Sequence, residues 1–125
     1  MNVVLWIAAG LAAAAFLMSG VMKLGRPTMV IEKADWAKGY SLAGIRGIGA
    51  AELAGALGLI LPAVTGIATW LVPAAALGLV VVMIGAVMRH VKIGEAPQAS
   101  IPAAVLGILA LFVAIGRIWI APFGT

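Results

Sequence analysis

Glu52 is the residue of this sequence best suited to chemistry, because it lies within a long run of otherwise apolar residues. Such a run is typical of a membrane-spanning helix, where a carboxylate is costly and usually faces the bundle interior or a wet cavity together with a partner. Lys23, at the end of another apolar run, is the best-placed partner, since its long side chain reaches beyond the depth of its backbone. We predict that Glu52 gives or takes a proton in a polar pocket and that Lys23 is the second catalytic residue.

Four more polar residues fall near the same ends of the apolar runs, and we predict that they bind the ligand: Ser19, Arg46, Arg89 and His90. Arg46 is six residues before Glu52, which is about 9 Å along a helix axis and about 240° around it, so the two do not share a face. A structural alternative stays open, in which the Lys23–Glu52 pair only locks two helices together. Buried ion pairs are weak stabilisers, which favours the functional interpretation.

These residues must be positioned by membrane-spanning helices. Of the 125 residues, 65% are hydrophobic and only 10% are charged, whereas soluble domains carry about 25% charged residues. Four runs have the length of about 20 residues that a hydrocarbon core requires: residues 3–22, 45–64, 67–88 and 101–120. We predict an all-α integral membrane protein in which residues 1–125 form one four-helix bundle. The first run lacks a basic n-region, so we expect it to be retained and not cleaved as a signal peptide.

The connection between the first two helices, residues 28–41, mixes charged side chains with Met29, Trp36 and Tyr40. Aromatic residues of this kind favour the headgroup region of a membrane. The pattern therefore predicts a short amphipathic segment at the interface, forming a lid over the open end of the bundle. Helices 1 and 3 end in the similar sequences GVMK and AVMR, which suggests two parallel helical hairpins.

Basic residues predict how the bundle crosses the membrane. Seven of the eight Lys and Arg residues lie in the two loops on one side, and only Arg117 lies on the other. The positive-inside rule places both loops in the cytoplasm and both termini outside, in a multi-pass protein of the cell membrane. This topology explains the net charge of +4. We expect no nucleic-acid binding, because the sequence lacks a dense basic face.

The chain has no cysteine and one histidine, His90. Thiolate metal ligation, iron–sulfur clusters and disulfide exchange are therefore excluded for this chain, as is a bis-histidine haem within one protomer. We expect no metal site and no covalently attached cofactor. Any redox role requires a bound organic molecule or a partner protein.

Two stretches carry a resemblance: LMSGVMKL at residues 17–24 and GAAELAGALGLILP at residues 49–62, with Arg46 just before the second. With their spacing they resemble the DoxX-like family of small four-helix membrane proteins, over nearly the whole chain. Members of that family are similar to a membrane subunit of an archaeal thiosulfate:quinone oxidoreductase. Others are linked to oxidative-stress complexes or to membrane-protein assembly. The resemblance implies the four-helix fold and a quinone-linked redox role.

The leading hypothesis is a redox-associated membrane subunit that binds a quinone or a similar lipophilic molecule near Glu52, Lys23 and Arg46. The chain supplies a proton-exchanging group and no electron carrier, so we expect a redox partner protein. Three alternatives stay open. One is a stand-alone enzyme using acid–base chemistry on a lipophilic substrate, such as an isomerase, an epoxide-opening enzyme or a cyclase. The others are a small proton-coupled transporter and an assembly protein without a ligand. The small-residue helix faces also predict a homo-oligomer in the lipid bilayer.

Overall fold

Four helices of the structure are long and apolar enough to cross a membrane. The structure is a computed structural model that describes residues 1–95 and 97–123, apart from the side chain of Ala99. The four candidate spans have mean hydropathies between 1.7 and 2.5 and cover Asn2–Gly25, Leu42–Thr65, Leu71–Lys92 and Ile101–Ile120. The described residues contain no β-strand. The predicted all-α, four-helix membrane fold is confirmed.

The helices are labelled in chain order: α1 (Asn2–Gly25), α2 (Pro27–Lys33), α3 (Leu42–Thr65), α4 (Leu71–Lys92) and α5 (Ile101–Ile115). Short 3-10 turns cover Asp35–Ala37 and Pro97–Ser100, and a π-helical turn over Gly116–Ile120 extends α5. Both α1 and α3 are longer than their hydropathy predicts. The early start of α3 is explained by Ser41, whose hydroxyl accepts a hydrogen bond of 3.0 Å from the backbone N–H of Gly44.

The helix predicted to start at residue 67 begins at Leu71 instead. Gly66 ends α3 in the left-handed conformation, with a φ of 73°, and Ala68 also has a positive φ, of 51°. These two residues turn the chain between α3 and α4, although Ile67 and Trp70 beside them are apolar. Both of those side chains are exposed. Because these turn residues are apolar, hydropathy alone predicts the start of α4 four residues too early.

The four long helices form a closed ring in the order α1, α3, α4, α5, with α5 returning to α1. The most extensive contacts lie within the pairs α1–α3 and α4–α5, which correspond to the two predicted hairpins. We call the end of the ring that carries Lys23, Arg89 and His90 the basic end. At the opposite end, the terminal end, Arg117 donates a hydrogen bond of 2.6 Å to the side-chain oxygen of Asn2. This bond ties the end of the chain's last span to the start of its first.

Many alanines are buried in the bundle together with larger side chains such as Leu5, Phe16 and Leu59, while many other large apolar side chains point outward. Ala12, Ala76 and Ala110 are completely buried, while Val81 is 68% exposed and Trp119 is 74% exposed. A soluble protein would hide such residues, but lipid solvates them as well as a protein core does. The arrangement is that of a bundle whose outer surface faces a bilayer.

The segment between α1 and α3 consists of the short helix α2 and the 3-10 turn over Asp35–Ala37. The backbone becomes extended at Ala34, with φ −111° and ψ 121°, and thereby separates α2 from the following 3-10 turn. Val30, Ala37 and Ile45 form a small buried apolar cluster against which Trp36 packs. This cluster fixes residues 35–40, called the lid segment below, to the start of α3.

Candidate ligand-binding site

Lys23 of α1 and Glu52 of α3 form an ion pair inside the bundle, in which the ammonium group of Lys23 donates a hydrogen bond to Oε1 of Glu52. The side chain of Glu52 is 2% exposed and that of Lys23 is 12% exposed. The predicted pairing is present. A buried carboxylate of this kind is retained only with a partner, and Lys23 supplies both a counter-charge and a hydrogen bond.

Two glycines bring the pair together. Gly20 of α1 and Gly49 of α3 lie against each other, and a Cβ atom on Gly49 would be only 2.7 Å from the Cβ of Lys23. Lys23 and Glu52 each follow one of these glycines by three residues, so each lies on the same helix face as its glycine. The glycine contact therefore sets the spacing of the two charged side chains.

A cavity of about 600 Å³ adjoins the pair at the basic end. Both Lys23 and Glu52 line it, with Ser19 beside them. The remaining wall is mostly apolar and comes from α3, α4 and α5: Ile48, Val81, Val82, Met83, Gly85, Ala86, Pro102, Ala103 and Leu106. Trp36, Tyr40, Arg89 and His90 complete the lining. An apolar chamber with a few convergent polar groups is the usual form of a small-molecule site.

Arg89 holds the lid segment over this cavity. Its Nε donates a hydrogen bond of 3.0 Å to the carbonyl of Trp36, and its Nη2 donates one of 2.8 Å to the carbonyl of Lys38. The guanidinium also lies 5.0 Å from the centroid of the Tyr40 ring. The sequence predicts Arg89 as a ligand-binding residue but does not reveal this contact, because two backbone carbonyls leave no signal in a sequence.

The ion pair and the lid segment are in direct contact. The ammonium nitrogen of Lys23 lies 5.0 Å from the centroid of the Trp36 ring, which is within the range of a cation–π interaction. Lys23 therefore contacts Glu52 and the underside of the lid at the same time. A change in the charge or position of Lys23 will be transmitted to both.

His90 lines the cavity next to Arg89, and its side chain lies beside Glu95, a residue that the sequence pattern does not mark as part of the site. Its Nδ1 lies 3.2 Å from Oε2 of Glu95, and the two side chains are only 13% and 19% exposed. The backbone N–H of Glu95 also donates a hydrogen bond to the carbonyl of His90. Gly94, with a φ of 75°, makes the turn that returns Glu95 to His90. In the sequence, only the glycine between His90 and Glu95 indicates that the chain turns back at this point.

Five of the six predicted site residues line the cavity, and Arg46 does not. Arg46 is exposed on α3, because it lies about 240° around the helix axis from Glu52. The side chain of Arg46 thus lies apart from the other five, and its role in ligand binding stays a prediction. Ser19 lines the cavity but makes no hydrogen bond to the ion pair within the described residues. Met29 of α2 lies outside the lining, whereas Trp36 and Tyr40 belong to it.

The site offers acid–base groups and hydrogen-bond donors. Across the described residues, no three His, Cys, Asp or Glu side chains are grouped as ligands for a metal ion. Glu52 and Lys23 can exchange a proton with a bound molecule, and His90 adds a second titratable group at the mouth of the cavity. These roles of the side chains stay predictions.

The sequence model of the DoxX-like family matches residues 7–113. This range covers most of the chain and contains both stretches on which the resemblance was based. The chain belongs to the DoxX-like family. All six predicted site residues of this DoxX-like protein lie within the matched range, whereas Asn2 and Arg117 of the terminal end lie outside it. No curated protein and no solved structure matches the chain.

Proposed function

We propose that this DoxX-like membrane protein binds a lipophilic molecule with a polar, quinone-like head, and that it serves as a redox-associated subunit. The observation that carries the proposal is the buried Lys23–Glu52 pair in the wall of a largely apolar cavity. A pair that only joined two helices would need no open space beside it. The cavity lets a bound molecule reach both charged groups.

The cavity volume supports a ligand of small-molecule size. Sites for such molecules measure about 300–1,000 Å³, and this cavity has about 600 Å³. Val82, Met83 and Leu106 offer an apolar wall for a ring, while Lys23 and His90 offer donors for its oxygens. A quinone has this combination of an apolar ring and two carbonyl acceptors.

Reduction of a quinone to a quinol takes up two electrons and two protons. Lys23, Glu52 and His90 can supply the protons. Lys23 can donate a hydrogen bond or a proton to a quinone oxygen, and Glu52 keeps the ammonium group oriented. Reprotonation of the pair can occur from the basic end, where His90 lines the same cavity. Because the chain has no cysteine and a single histidine, the electrons would come from a partner protein.

The same pair also suits a stand-alone acid–base enzyme, such as an isomerase, an epoxide-opening enzyme or a cyclase. In that case Lys23 and Glu52 would act on a substrate that neither gains nor loses electrons. A proton-coupled transporter would use Glu52 as its proton carrier. The identity of the bound molecule separates these functions.

The test is to purify the protein in a mild detergent and to identify co-purifying small molecules by mass spectrometry. We expect a quinone with the parent protein and none with Glu52→Gln, since the amide keeps the shape and loses the charge. Glu32→Gln is the matched control, because Glu32 is exposed on α2 outside the cavity, and it should retain the quinone. A bound molecule without redox chemistry would favour the enzyme, and equal retention by both variants would contradict a role for Glu52.

A further inference from the structure

We propose that the ligand of this cavity carries a hydrocarbon chain, and that the chain leaves the cavity sideways between α3 and α4. This inference rests on the proposed function, and it names a chain-bearing amphiphile as the ligand class. Three features of the described residues support it. They are the divergence of α3 and α4, the lipid-facing side of the cavity wall, and a groove that continues from the cavity along the same two helices.

The two helices pack closely toward the terminal end and separate toward the basic end. A Cβ atom on Gly58 would lie 2.7 Å from the Cβ of Ala75, and one on Gly55 would lie 2.5 Å from Cδ2 of Leu79. Nearer the basic end, α3 and α4 both line the cavity. The helices therefore form a wedge whose wide end is occupied by the cavity.

The wide end of the wedge opens toward lipid. Val81 and Gly85 of α4 line the cavity, although Val81 is 68% exposed and Gly85 is also exposed. Val82 and Met83, on the inward side of the same helix, line it as well. The cavity wall thus passes from the bundle interior to the outer surface of α4. Val81 is eleven residues before the end of α4, about 16 Å along the helix axis, so this opening lies at hydrocarbon depth.

A groove continues from the opening toward the terminal end. It has a volume of about 270 Å³ and shares Val82 with the cavity. Its other lining residues are mostly small: Ala51, Ala54, Gly55, Ala75, Gly78 and Leu79. Because Val82 lines both spaces, the groove begins at the wall of the cavity in which the polar head would be bound. Small residues on a membrane helix can also pack a second helix, but a protomer seated here would close the lateral opening of the cavity.

The test compares a benzoquinone without a side chain with the same benzoquinone carrying a decyl chain, on the full protein in lipid nanodiscs. Binding is followed by quenching of tryptophan fluorescence, and Trp36→Phe identifies the signal from the cavity. Gly78→Leu puts an apolar side chain into the groove at a position where a Cβ atom meets no other atom within 4 Å. Gly10→Leu is the matched control, since Gly10 is equally open but lies on α1 outside the groove.

We expect Gly78→Leu to weaken binding of the decyl quinone roughly tenfold and to leave binding of the chainless quinone unchanged. Gly10→Leu should change neither, and Glu52→Gln should weaken both. If Gly78→Leu affects both quinones or neither, the chain does not occupy the groove, while the proposed function stands. If Gly78→Leu disrupts a crosslinked dimer and leaves both affinities unchanged, a second copy occupies the groove and the inference is overturned. If the parent protein binds neither quinone, the proposed function fails and this inference fails with it.

Discussion

Gly20 of α1 and Gly49 of α3 lie so close that a Cβ atom on Gly20 would be 2.8 Å from the carbonyl oxygen of Gly49. Only hydrogen atoms fit between the two backbones. This approach brings Lys23 and Glu52 within hydrogen-bond distance, because each follows its glycine by three residues. The ion pair of the site is thus a consequence of where two helices can touch.

Gly49→Ala should separate the two helices and destabilise the protein. The new methyl group would meet the Cβ of Lys23 at 2.7 Å, and overpacking of this kind lowers the free energy of unfolding by about 1–3 kcal/mol. Thermal unfolding in one detergent measures the effect. The control is Gly47→Ala, two residues earlier on α3, where a Cβ atom meets nothing within 4 Å. That variant should be as stable as the parent or more stable by up to about 1 kcal/mol. If Gly47→Ala and Gly49→Ala lose the same stability, the close contact between α1 and α3 at Gly49 is contradicted.

Removing one partner of the ion pair should cost more stability than removing both. Lys23→Met leaves the Glu52 carboxylate buried without a counter-charge, which destabilises a protein by about 3–5 kcal/mol. Lys23→Met combined with Glu52→Leu replaces the pair with apolar groups and should restore most of that stability. Denaturation midpoints and ligand retention are measured on the same samples. If the double variant folds well and still retains the ligand, the pair serves only to join the helices.

Arg89→Gln should loosen the lid segment without unfolding the bundle. The variant loses the charge over Tyr40 and the two hydrogen bonds to the carbonyls of Trp36 and Lys38. We expect faster hydrogen–deuterium exchange in residues 36–40 and unchanged exchange in the middle of α3. Arg89→Lys should not restore protection, since an ammonium group lacks the fork that bonds two carbonyls at once. Lys92→Gln, an exposed change at the end of the same helix, should leave the exchange of the lid segment unchanged. If Lys92→Gln speeds this exchange as much as Arg89→Gln does, the effect comes from the loss of positive charge in general and not from the contacts of Arg89.

The orientation in the membrane follows from the charge distribution and is tested by cysteine labelling. The chain has no native cysteine, so single cysteines at Thr125 and at Lys33 report without background. The positive-inside rule predicts that Thr125→Cys reacts with an impermeant reagent on whole cells and that Lys33→Cys reacts only after permeabilisation. The opposite pattern would reverse the orientation and would place the basic end of the bundle outside the cytoplasm.

Much of the fold is a local property of the sequence. The length and hydropathy of the four runs are enough to predict four spans, because each run must by itself satisfy its backbone and cross the hydrocarbon core. The isolated charge of Glu52 is also a local fact, and the cost of that charge requires a partner. Lys23 could be named as this partner because it is the basic residue at the end of α1, within reach of α3.

The position and the lining of the cavity are determined by the tertiary structure. In a soluble protein the apolar side of a helix marks the core, but in a bilayer the lipid and the bundle interior are equally apolar. The sequence of α4 therefore does not reveal that Met83 faces inward while Val81, two residues earlier, is 68% exposed. The contacts of Arg89 with the lid segment and the opening between α3 and α4 both depend on how the helices are rotated. That rotation is set by close contacts such as Gly20–Gly49, which appear only when the helices are packed.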